Sequence, residues 1–126
     1  MKRLHAFLLI LFVATMAGCY YDTEEKLYPQ ISTGCNLTDV TFSGTVSPIL
    51  QASCYTCHSN SNAASSGDGI RLQNYSDVLV QVKNGKLMGS VKHAGGFSAM
   101  PKGGGKLTDC EISQLQKWID NNTPNN

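Results

Sequence analysis

The five residues Cys54-Tyr55-Thr56-Cys57-His58 constrain this chain more than any other part of it. Two thiols three positions apart fall on one side of a helical turn, and an imidazole follows directly. Three chemistries use such a spacing. A thioredoxin-like redox dithiol needs a preceding strand and a βαβ pattern around it. A structural zinc site needs a second cysteine pair or a histidine pair. In the third, the thiols add across the two vinyl groups of a haem and the histidine falls beneath the iron. That imidazole is a neutral nitrogen ligand, usually oriented by a hydrogen bond from its other ring nitrogen to a backbone carbonyl. No strand-length alternating segment is present, and Cys35 with Cys110 lack the zinc spacing, which leaves one covalently bound haem c and its iron as the favoured cofactor.

The chain has 126 residues, 41% of them hydrophobic, enough for one small domain with a thin core that a large apolar cofactor or a disulfide would help to stabilise. Its start reads as an address. Lys2 and Arg3 precede an apolar run, Leu4 to Val13, broken only by His5. Met16-Ala17-Gly18-Cys19 then resembles a bacterial lipobox, with Met16 where Leu, Val or Ile is usual. The alternative, a buried core helix, is disfavoured by the run's shortness and position. The expectation is a lipoprotein signal over 1–18, lipidation of Cys19 and export to the periplasm or cell envelope, anchored to a membrane. A polar tether follows over 19–41, and the folded domain occupies 42–126.

Ten Lys and Arg face nine Asp and Glu; without Lys2 and Arg3 the balance is eight against nine, a net charge of −1 that argues against nucleic acid. From Val78 to Thr108, however, there are five lysines and no acid: Lys83, Lys86, Lys92, Lys102 and Lys106. They either steer an acidic redox partner or form ordinary solvated surface.

The apolar pattern predicts helices. Val46, Ile49, Leu50 and Cys54 form a stripe leading into the cysteine pair, with Pro48 in the first turn. Ser59 to Gly69 reads as an exposed loop. Ser76 is a candidate N-cap for a helix carrying Val78, Leu79 and Val82 and stopping at Gly85, with a further turn around Leu87 to Val91. Gly95 to Gly105 holds five glycines and a proline and is irregular. Thr108 and Glu111 form a capping box for a last helix bearing Ile112, Leu115 and Ile119, which Trp118 borders. The expected fold is all-α, with three or four short helices around the haem.

Candidates for a sixth iron ligand are Met88, Met100 and His93. Met88 reads as a core-facing helix residue. Met100 fits best, because Pro101 biases it to extended backbone and the surrounding glycines let the chain approach a flat cofactor. His93 is chemically competent too, and Met100 could simply fill core.

An apolar helix entering the Cys54–His58 motif, a Met-Pro loop 42 residues beyond the histidine, and a capped C-terminal helix Leu107-Thr108-Asp109-Cys110-Glu111-Ile112 through Trp118-Ile119 together resemble a class I cytochrome c over residues 42–122. The resemblance implies crossed first and last helices near the haem edge, His58 as proximal and Met100 as distal ligand, and single-electron transfer. The Val46/Ile49/Leu50 face would then meet the Ile112/Leu115/Ile119 face. The tether and the Cys35/Cys110 pair depart from the minimal family pattern.

With both axial positions filled, oxygen and peroxide cannot reach the iron without displacing a ligand, so an electron carrier between redox protein partners is expected rather than an enzyme, with a positive midpoint potential. The alternatives are a haem enzyme or gas or redox sensor with a displaceable sixth ligand, and a non-haem binding module on the cell surface. Cys35 and Cys110 are the two thiols left once lipid and haem are supplied, and in an exported protein such a pair is more often bonded than free.

Overall fold

The computed structural model describes residues 34–126. The expected signal segment, the Cys19 lipidation site and most of the tether lie outside the described residues. The folded unit runs Cys35–Asn126, which takes residues 35–41 from the expected tether into the fold. Two contacts show why: Cys35 is bonded to Cys110, and Gln114 donates to the Asn36 carbonyl at 3.1 Å. Val40 is buried as well.

Every regular element among the described residues is a helix. A π-helical turn, Phe42–Val46, opens on Thr41, whose side chain accepts from the Gly44 N–H, and continues without a break into α1, Ser47–Ser53. Pro48 sits in the first turn of α1, where its missing N–H leaves no bond unmade. The backbone then bends at Cys54 (φ −126°), and a second helix, α2 (Tyr55–His58), restarts from it. The helices α3 (Ala63–Ser66), α4 (Tyr75–Lys83), α5 (Lys86–Val91) and α6 (Asp109–Asp120) follow. Six α-helices among the described residues exceed the three or four expected, because the motif helix divides at Cys54 and the 59–69 segment winds a turn of its own.

That segment is the clearest departure from the sequence reading. Its polar side chains are exposed, but Ala63 and Gly67 are buried. Four positions apart, they share one side of α3, and their small size lets its backbone lie against α2. α4 departs in a smaller way: it is capped by Asn74 in extended backbone (φ −94°, ψ 145°), and Ser76 falls inside the helix. Asn74 also donates to the Asp77 carboxylate at 3.0 Å, so the first turn is tied to its cap. α6 has its capping box: the Glu111 N–H donates to Thr108 Oγ1 at 3.2 Å, and the Thr108 N–H donates to Glu111 Oε2 at 2.8 Å.

One core joins these pieces. Val46, Ile49 and Leu50 pack in the same cluster as Ile112, Leu115 and Trp118, with Leu72, Val78, Leu87, Val91 and Leu107. The π-turn and α5 both lie against α6, and α4 lies against α5. Trp118 is fully buried and Ile119 only half-buried, which reverses their expected order. The cause is the tail. Residues 121–126 fold back so that Trp118 Nε1 donates to the Pro124 carbonyl at 2.9 Å and Tyr75 Oη donates to the Thr123 carbonyl at 2.7 Å. Asn126 closes the return by accepting from the Ser43 N–H at 2.8 Å. Beneath the tail, Phe42, Tyr75 and Trp118 pack edge-to-face or tilted, with ring centroids 5.1–6.3 Å apart.

Candidate functional site

The motif occupies the bend between α1 and α2. Cys54 is the last residue of the buried stripe and is itself buried, whereas Cys57 and His58 on α2 are half-buried. The N–H groups of Cys57 and His58 both donate to the Cys54 carbonyl, at 3.1 and 2.8 Å, so all three side chains leave a single hydrogen-bonded turn.

His58 is held from two directions by one short segment. Its Nδ1 lies 2.9 Å from the Ile70 carbonyl. Its own carbonyl accepts from the Leu72 N–H at 2.9 Å. A carbonyl oxygen can only accept, so Nδ1 carries a proton, and in the neutral ring the lone pair resides on Nε2. This is the tautomer a metal-binding imidazole needs, fixed by the backbone-carbonyl partner typical of such ligands. Gly67 completes the support. A Cβ at this position would lie 2.6 Å from the Cys57 carbonyl oxygen and 2.9 Å from His58 Nδ1, so only glycine admits the approach. The sequence reading missed Ile70, Leu72 and Gly67. The one local signal was Ala63 and Gly67 at helical spacing within a stretch otherwise without apolar pattern.

Burial pushes the Cys54 thiol up to about 11 from 9.0, and the Glu111 carboxylate adds to the effect. Glu111 therefore has two roles, helix cap and neighbour of the motif, of which the sequence revealed the first. A thiol so disfavoured as thiolate is a poor redox nucleophile. No three His, Cys, Asp or Glu side chains among the described residues converge to hold a metal ion.

The candidate sixth ligands lie elsewhere on the fold. Met88, on α5, is half-buried against the core. Met100 is half-buried in the glycine-rich loop. Its N–H donates to the Ser90 carbonyl at 3.1 Å, and its carbonyl accepts from His93 Nε2 at 2.9 Å. His93 is exposed and adopts positive φ (55°). The structure thus brings Cys54, Cys57 and His58 together on one turn, and Met100 and His93 together at the end of α5. Among the described residues no hydrogen bond joins the two groups. Half-buried apolar side chains, Ile70, Leu79, Val82 and Met88, pack against the core, and Val80 and Phe97 are large apolar residues left exposed.

All five lysines are exposed. Lys83 ends α4, Lys86 begins α5, and Lys102 and Lys106 stand on the glycine-rich loop. Lys92 turns to α6, where it donates to Gln116 at 2.9 Å, and Lys106 lies 3.9 Å from Asp109. No protein-family model, curated protein or solved structure matches the chain.

Proposed function

We propose that residues 35–126 form a c-type cytochrome domain that passes single electrons between redox protein partners while a lipid on Cys19 holds it at a membrane. One observation carries the reading. The turn that presents both motif thiols also presents an imidazole whose Nδ1 is bound to the Ile70 carbonyl, leaving Nε2 for a metal. The donor set fits a haem: Cys54 and Cys57 would hold it by thioethers, and His58 and Met100 would bind its iron. When bound, the group supplies a one-electron ferric/ferrous couple.

The protein's own part is to orient and to exclude water. The Ile70 carbonyl fixes the His58 ring and the Leu72 N–H its main chain, and the Leu72, Val78, Leu87 and Val91 core, which also holds Cys54, would supply an apolar surround. Low polarity and a thioether donor both favour the less charged ferrous state, which raises the midpoint potential. Lys83, Lys86, Lys92, Lys102 and Lys106 would steer an acidic partner, making the transfer rate fall as salt rises. The Asp109 carboxylate beside Lys106 leaves Lys83, Lys86, Lys92 and Lys102 as the charges best placed to act at long range, the Lys92 bond to Gln116 being to a neutral amide.

The test is production of the full chain in a host that matures c-type cytochromes. The expected product is red, gains the mass of one covalently bound haem, and has a positive midpoint potential with a methionine-to-iron band at the red end of the oxidised spectrum. Met100→Ala should abolish that band and open the iron to added ligands. A colourless protein at polypeptide mass overturns the reading.

A further inference from the structure

The last turn of α5 ends in a left-handed residue that is not glycine. The Ala94 N–H donates to the Gly89 carbonyl at 2.9 Å and the His93 N–H to the Ser90 carbonyl at 3.1 Å. This pair of bonds closes a Schellman-type end with His93 at its left-handed position, φ 55°. Glycine is the usual occupant, because a Cβ is strained there. Two glycines, Gly95 and Gly96, stand just beyond Ala94, yet the position that would benefit most from one holds a histidine. Histidine tolerates this backbone better than most side chains, so its presence alone says little. What its side chain reaches says more.

His93 Nε2 lies 2.9 Å from the Met100 carbonyl and, facing an acceptor, carries the ring proton. The Met100 N–H donates to the same Ser90 carbonyl that takes the His93 N–H. Both polar groups of the Met100 main chain are therefore bound to the end of α5, one of them by His93. A second anchor lies midway along the loop. The Phe97 ring lies so close over Gly89 that a Cβ there would come within 2.4 Å of it. The loop is thus pinned at Phe97 and at Met100.

We propose that His93 is a positioning residue that clamps the Met100 main chain, so that the thioether is delivered to one place rather than tethered loosely near it. The inference rests on Met100 being the axial ligand. Its physical basis is that a weak donor competes with water and added ligands only if little conformational freedom is lost on binding. The left-handed strain at His93 is then a local disadvantage retained for the contact it creates.

The full-length haem protein and its His93→Gly variant provide the test. Glycine relieves the backbone and removes only the clamp. The thermal midpoint should stay level or rise, while imidazole should displace the methionine band about 2- to 10-fold more readily, the range one lost hydrogen bond supplies. Exchange of the Met100 amide hydrogen should quicken by a similar factor. His93→Asn, which also tolerates left-handed backbone but is too short to reach, should behave as the glycine variant does and serves if that variant folds poorly. Unchanged imidazole affinity and unchanged Met100 amide exchange in both variants overturn the clamp. A wild-type protein that binds haem but has no methionine band overturns Met100 ligation instead, and the amide exchange still decides whether His93 holds the loop.

Discussion

Gly67 and Cys54 show how single positions determine the chemistry of the motif. Gly67→Ala would place a methyl 2.6 Å from the Cys57 carbonyl, against backbone that cannot rotate away. Overpacking of this kind costs about 1–3 kcal/mol. Because the same methyl crowds the His58 ring, the yield of covalently attached haem per polypeptide should fall as well, a combined loss that mass spectrometry and thermal melting would resolve. Cys54 gives a pH dependence. Its raised value in the fold means that the neutral thiol is the form the fold holds, so its contribution is complete below about pH 9 and is lost as pH rises through about 11. In the haem-free chain, stability should decline over that alkaline window, and Cys54→Ser should flatten the decline. At lower pH, alkylating reagents should reach half-buried Cys57 before buried Cys54, and equal labelling of the two would contradict the burial.

Among the elements, α6 was the most legible. Its capping residues and apolar stripe are local, and local signals survive folding: Thr108 caps it, and Ile112 and Leu115 are buried. Thr108→Ala should destabilise the domain by about 1 kcal/mol in denaturant titrations, the usual worth of an N-cap. Thr108→Ser should restore most of it. The stripe failed only at its C-terminal end, where Trp118 displaced Ile119 from the core because residues 123–126 return to cover it. α3 was barely legible, its one signal being the spacing of Ala63 and Gly67. A four-residue helix of Ala and Ser has no apolar periodicity to read, and it persists because Ala63 and Gly67 fit against α2 rather than through any propensity of its own. α4 lay between these cases: its buried face was read correctly and its start misplaced by two residues, because Asn74 takes the cap position in extended backbone while its side chain turns to Asp77 and makes no cap bond to a backbone N–H.

For the molecule as a whole, the Cys35–Cys110 bond joins the start of the folded unit to the first turn of the last helix, across 75 positions. Closing a loop of that length is worth about 4 kcal/mol on the chain-entropy model. Reduction should therefore lower the melting temperature markedly and leave the N-terminal residues of the unit, 35–41, the first to exchange amide hydrogens; a melt indifferent to reductant would contradict that role. The sequence by itself determined the helical class, the start of α6, the stripe leading into Cys54 and the grouping of two thiols with an imidazole, because each depends on residues within one or two turns of one another. Tertiary structure alone decided the tautomer of His58, the burial of Gly67 and Trp118, and the hold of His93 on Met100. Each of these needs a backbone group brought back by a loop, from 6 to 12 positions along the chain, and no helical or capping pattern encodes where such a group will arrive.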